Sequence, residues 1–147
     1  MEAQATSPST PLRKESLKDA IGLVKAGKTD EAVPMLYRLR AKAQRSPEIA
    51  LWLGHAYFRK LWRTDALREY RTALSLRSTY RRDPLLLRNV VIGLDDPTYR
   101  PARVLLRKYI GAAALPELRR MAVGSPSSLL RRRANAVGTQ IARARRR

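Results

Sequence analysis

Apolar residues recur at helical intervals along most of this chain. Leu17, Ala20, Ile21 and Val24 form one stripe at spacings of three and four, which predicts a first helix from about residue 12 or 16 to residue 25. Ala26-Gly27-Lys28 ends it, and Thr29, followed by Asp30 and Glu31, is the predicted N-cap of a second helix running to about residue 43. Pro34 lies inside that helix and removes a backbone donor, so a local kink is expected. Ser46-Pro47-Glu48 opens a third helix through residue 59, and Thr64 with Asp65 opens a fourth to about residue 76. Beyond Tyr80 the pattern loosens. Asp83-Pro84 starts a helix over 85–94, Asp95-Asp96-Pro97 stops it, and another follows over 101–110. A turn at Gly124-Ser125-Pro126 then precedes Leu130, Ala134, Val137 and Ile141, whose spacings of 4, 3 and 4 put them on one helical face.

The first two predicted helix pairs carry matching residues at a constant interval of 34. Ala20, Leu23, Gly27, Ala32, Leu36 and Leu39 align with Gly54, Tyr57, Leu61, Ala66, Tyr70 and Ala73. A small residue at Ala20 or Gly54, and again at Ala32 or Ala66, lets two helices cross closely, while Tyr57 and Tyr70 fill the space beside the crossing. The run Leu53-Gly54-x-x-Tyr57 followed by Ala66-x-x-x-Tyr70-x-x-Ala73 resembles the tetratricopeptide (TPR) signature over 47–80, and 12–46 is similar but looser. The match has departures. Ala50 falls where the family has Trp, with Trp52 two residues on; Ser78 stands where a Pro closes the repeat; and the loop Gly of the first copy, Gly27, is Leu61 in the second.

The segment Gly111-Ala-Ala-Ala-Leu115-Pro116-Glu-Leu118-Arg-Arg-Met121, with the stripe that follows it, resembles a HEAT-type hairpin. Together these resemblances imply an all-α fold, a right-handed helical-hairpin solenoid. It would contain two TPR-like hairpins, a degenerate third over 81–110 and a HEAT-like capping hairpin over 111–143. Residues 1–11, rich in Ser, Thr and Pro, read as a flexible leader or linker, and 144–147 as a basic tail after one domain over 12–143. The run from Gly54 to Tyr70, followed by the Ala-Leu-Pro hairpin, also looks like helical tails of bacterial serine/threonine kinases. No kinase motif is present in it.

Charge changes the picture of partners. The chain has 31 Lys and Arg against 12 Asp and Glu, a net +19. Residues 71–147 hold 18 basic and 4 acidic side chains, so the excess sits in the C-terminal half. Such a field attracts acidic protein, nucleic acid or anionic head groups without choosing among them. Arg supplies 24 of the 31 cations, which also fits coding bias in a GC-rich genome. The candidate basic patch is Arg131, Arg132, Arg133, Arg143, Arg145, Arg146 and Arg147; a solvated helix end that suits the helix dipole is the plainer reading of its terminal part.

Catalytic chemistry finds little purchase. His55 is the only histidine and there is no Cys, so His pairs and Cys-based zinc sets are excluded, as are disulfides and thiol nucleophiles. No Gly-x-Ser-x-Gly turn, phosphate loop or dinucleotide fingerprint occurs. The pairs Asp30-Glu31 and Asp95-Asp96 sit at predicted helix ends, where carboxylates act as caps. The expectation is a non-enzyme with no cofactor and no metal, cytoplasmic and bacterial, with no membrane span.

The TPR resemblance implies a concave groove lined by the first helix of each hairpin. Its residues here would be Leu17, Ile21, Val24, Lys25, Leu51, His55, Phe58 and Arg59. That surface is apolar with a basic edge and suits an acidic or amphipathic segment of another protein. The competing reading is intramolecular, with 83–110 covering these residues. Trp52 and Trp62 are expected to pack in the core. Nucleic acid is the alternative partner, although the C-terminal half offers only Tyr80, Tyr99 and Tyr109 for stacking on bases.

Overall fold

The computed structural model describes residues 16–146, which form helices and turns with no strand among them. The expected leader, residues 12–15 and Arg147 lie outside the described residues. In chain order come α1 (Leu17–Lys25), α2 (Thr29–Lys42), α3 (Pro47–Arg59) and α4 (Arg63–Leu76). A 3-10 turn (Ser78–Arg82) leads to α5 (Pro84–Ile92) and α6 (Tyr99–Val104), which widens into a π turn over Leu105–Ile110. A second 3-10 turn (Gly111–Ala114) enters α7 (Leu115–Gly124), and α8 (Ser128–Arg145) closes the fold.

Local chemistry accounts for most of the starts. Ser16, Ser46, Asp83 and Ser127 each sit at an N-cap, where the side-chain oxygen accepts a backbone N–H from the residue three on. Thr29 and Thr64 do not cap, contrary to expectation; they lie in the first turns of α2 and α4, behind Lys28 and Trp62. The reason is the preceding turn. Gly27 and Leu61 both take left-handed backbone, with φ of 81° and 65°, and the Lys28 and Trp62 amides close back onto the carbonyls of Leu23 and Tyr57 at 2.8 and 2.9 Å. The chain leaves that turn one residue earlier than a Thr29 cap would require and two residues earlier than a Thr64 cap would.

These paired positions are all 34 apart, and the correspondence extends over the whole hairpin. Ala26 and Lys60 share φ near −80°, Lys28 and Trp62 share ψ near 60°, and α2 and α4 end at Ala43 and Arg77 with φ of −147° and −146°. The backbone thus repeats at the interval at which the side chains repeat. Leu61 adopts the glycine conformation at its own steric cost.

Gly54 is small because Tyr70 lies across it. A methyl at Gly54 would come within 2.5 Å of the Tyr70 ring, so only glycine lets α3 and α4 approach this closely. Ala66, on the same face of α4 as Tyr70, is fully buried. α3 is buried nearly all round, from Ile49 to Tyr57, because it lies between two apolar clusters. One cluster gathers Ala20, Val24, Ala32 and Leu36 against Leu53 and Ala56. The other gathers Leu67, Leu74, Leu86, Val90 and Leu106 and runs through to Leu118 and the predicted α8 stripe of Leu130, Ala134, Val137 and Ile141. Half-buried Trp52 packs against both. α7 and α8 fold back on each other across Ser125-Pro126-Ser127, and no described helix is long and apolar enough to cross a membrane.

Candidate functional site

The eight residues expected in a groove separate into two sets. Leu51 is 4 % exposed, His55 2 % and Val24 2 %, so these three face the interior and are corrected to core positions. Leu51 belongs to the cluster that α5 completes with Leu86 and Val90. Leu17, Ile21 and Phe58 are half-buried, and Lys25 and Arg59 are exposed. Those two cations flank the joint between α1 and α3. The Lys25 ammonium sits 5.7 Å from the centre of the Trp52 ring, and Arg59 passes beside Gly27. Half-buried Trp52 joins Lys25 and Arg59 in an amphipathic strip that spacing alone did not single out.

His55 is the centre of a buried polar cluster. Its Nδ1 lies 2.7 Å from the Tyr70 hydroxyl, which also accepts a hydrogen bond from Asn89 Nδ2 at 2.8 Å. The Asp83 carboxylate, with Oδ2 3.6 Å from Nε2, favours the tautomer with its proton on that nitrogen, and in that tautomer Nδ1 accepts from the Tyr70 hydroxyl. The Trp52 and Tyr70 rings meet the imidazole edge-on, with centroids 4.9 and 5.4 Å away. Burial removes water from the imidazolium and outweighs the attraction of Asp83, so the His55 pKa falls to about 4. Burial also holds the Tyr70 phenol protonated, well above its ordinary range. The cluster ties α3, α4 and α5 together through the Tyr70 hydroxyl, and His55 lines none of the described cavities.

Trp62 departs from its expected core role. It is 49 % exposed, tilted against Tyr57 with ring centres 5.7 Å apart, with the Lys60 ammonium 4.7 Å from the centre of its ring. Its position at the mouth of α4, directly after left-handed Leu61, turns it outward. The Tyr57 hydroxyl meets that of half-exposed Tyr37, and Lys60 pairs with Asp30 across the same end of the two hairpins.

The expected basic patch is not one surface. Arg131 donates to the Ser125 carbonyl at 2.6 Å and so closes the end of α7. Arg133 donates to the Leu94 carbonyl at 2.8 Å and pairs with Asp96 at 2.9 Å, covering the Tyr99 ring at 4.3 Å. Arg132, Arg143, Arg145 and Arg146 are exposed, and Arg147 lies outside the described residues. Arg145 turns instead towards Arg103, Arg107 and Lys108, which line one cleft with it. Sequence reading missed those three; the signal available was the spacing of four from Arg103 to Arg107 on a helix without a compensating acid. Compared with family models, curated proteins and solved structures, the chain matches none.

Proposed function

We propose that this chain is a TPR-type protein–protein interaction scaffold, a solenoid of helical hairpins that takes a segment of another protein on the face shared by α1 and α3. The observation that carries the reading is the recurrence, 34 residues apart, of the left-handed turns at Gly27 and Leu61 with their closing hydrogen bonds. The proposed surface is narrower than the eight-residue groove: Ile21, Lys25, Trp52 and Arg59. An apolar strip with cations at its edge suits an amphipathic segment with Leu or Phe anchors and flanking acids. On the kinase-tail resemblance, the scaffold serves as a docking or regulatory module of a bacterial signalling protein.

The competing reading, a nucleic-acid-binding helical repeat, loses support at its aromatics. Tyr80, Tyr99 and Tyr109 each have an intramolecular guanidinium over the ring, from Arg77, Arg133 and Arg71 at 5.2, 4.3 and 5.7 Å. Rings already engaged in this way are not free platforms for bases.

Selection of displayed peptides on the immobilised full chain tests the scaffold reading, with Lys25→Glu/Arg59→Glu as the counter-selecting variant. Enriched peptides carrying acids beside Leu or Phe, lost with the folded double variant, are expected. Equal retention by both proteins, or no enrichment, rejects the surface.

A further inference from the structure

The largest of the described clefts, about 600 Å³, lies between the π turn that extends α6 and the last turns of α8. Its size falls within the range of small-molecule sites. Arg103, Arg107 and Lys108 line one wall and Arg145 the other, and none of the four has a carboxylate partner among the described residues. Ion pairs such as Arg40 with Glu69, Arg120 with Glu117 and Arg133 with Asp96 involve a minority of the cations in so basic a chain, so what sets this place apart is that four of them converge on one hollow. Four like charges around one hollow repel one another, and an anion in the hollow converts that repulsion to attraction.

Two further observations fall on the same cleft. Arg103 Nε and Gln140 Oε1 are the buried side-chain polar atoms that lack a hydrogen-bond partner among the described residues, and both residues line it. Buried groups left in that state are rare and costly, and they mark a place where a partner is missing. The backbone is also specialised here. The α6 helix widens to a π turn and then passes through Gly111 at φ 66°, where a Cβ would meet nothing within 4 Å, so glycine serves the chain's path and not the space.

We propose that this cleft binds a small phosphorylated ligand. Guanidinium forks pair with carboxylate and phosphate oxygens alike, and the convergence of four cations favours a multiply charged phosphate over a single carboxylate. The hollow is larger than a phosphate group, and Val104, Ile141 and Ala144 supply an apolar floor. The ligand therefore has two parts, an anionic head held by Arg107, Lys108 and Arg145 and an uncharged body resting on that floor. The site is separate from the α1–α3 face, and its existence does not depend on a protein partner there.

Isothermal titration of the full chain at low salt with inorganic pyrophosphate, adenosine diphosphate and a soluble short-chain phosphatidate tests this. The cleft variant is Arg107→Gln/Lys108→Gln/Arg145→Gln, all exposed side chains. The control is Lys28→Gln/Arg45→Gln/Arg132→Gln, which removes the same charge from exposed positions away from the cleft. One site per chain is expected, weakened about tenfold or more in the cleft variant and less than about twofold in the control, whose distant charges are screened. Adenosine diphosphate or phosphatidate binding more tightly than pyrophosphate supports the apolar floor, and the tighter of the two identifies the kind of body. Equal weakening in both triple variants, absence of saturable binding, or pyrophosphate binding tightest of all overturns the proposal. Arg145→Glu alone, on the last turn of α8, repeats the test if the triple variant does not fold.

Discussion

Single residues in this protein take their roles from what covers them. His55 stands on the stripe of α3 that the family resemblance assigns to an open face, yet α5 brings Asn89 and Asp83 over it and removes it from water. A neutral histidine held in this way couples folding to pH. Its folded pKa of about 4 lies below the ordinary 6.5, so the unfolded chain takes up the proton first as pH falls. The contribution is fully present above about pH 6.5 and is lost down to about pH 4, for a total of about 3 kcal/mol. His55→Gln keeps a polar group in the site but cannot titrate. In urea denaturation at stepped pH, the wild type should lose stability relative to the variant across that window, by up to about 3 kcal/mol. Parallel stability curves for the two proteins would refute the coupling. Tyr70, Asn89 and Asp83 are the groups that face the imidazole, and Asp83 attracts the charged form too weakly to reverse the sign.

At the level of elements, the turns between helices carry the repeat more faithfully than the side chains do. Gly27 and Leu61 occupy the same left-handed conformation, which glycine adopts freely and leucine only at a cost. Substitutions at the two equivalent positions should therefore have opposite signs. Gly27→Ala is expected to lower stability by about 1 kcal/mol, and Leu61→Gly to be neutral or stabilising by up to about 1 kcal/mol, because relief of strain offsets the added freedom of the unfolded chain. Thermal unfolding of the two variants beside the wild type checks this. A loss in both would mean that Leu61, although 73 % exposed, is held by packing and not merely tolerated. The elements themselves were largely legible, since Ser46-Pro47 and Asp83-Pro84 are local start signals and the α8 stripe buries the face that its spacing predicts. The threonine caps were not, because the left-handed turn before each helix moves the start ahead of Thr29 by one residue and ahead of Thr64 by two, and that shift depends on tertiary closure of the hairpin.

On the scale of the whole molecule, charge and core oppose each other. A net charge of +19 repels itself most in the compact state, whereas the two apolar clusters sharing α3 hold the hairpins together. Salt screens the repulsion more than it weakens the few surface ion pairs, so raising sodium chloride from low concentration to about 0.5 M should raise the thermal midpoint by about 3–6 °C. A midpoint that falls with salt would assign the balance to pairs such as Arg40 with Glu69 and Arg133 with Asp96. The distribution of that charge follows the fold and not the sequence order. Arg131 and Arg133 serve helix ends and a tyrosine ring, while Arg145 gathers with Arg103, Arg107 and Lys108 from a segment some 40 residues earlier.

The sequence by itself determined what depends on neighbours three or four residues away: helical character throughout the described residues, most helix starts, the apolar stripes, and the 34-residue interval at which two hairpins repeat. Only the tertiary structure decided which of those stripes stay open to solvent. A helix with apolar residues on two faces reads the same whether one face is covered or both, and the arrival of α5 over Leu51 and His55 is a contact between segments that no local spacing encodes. The cationic cleft arose in the same way, from two segments whose charges are unremarkable until folding sets them across one hollow.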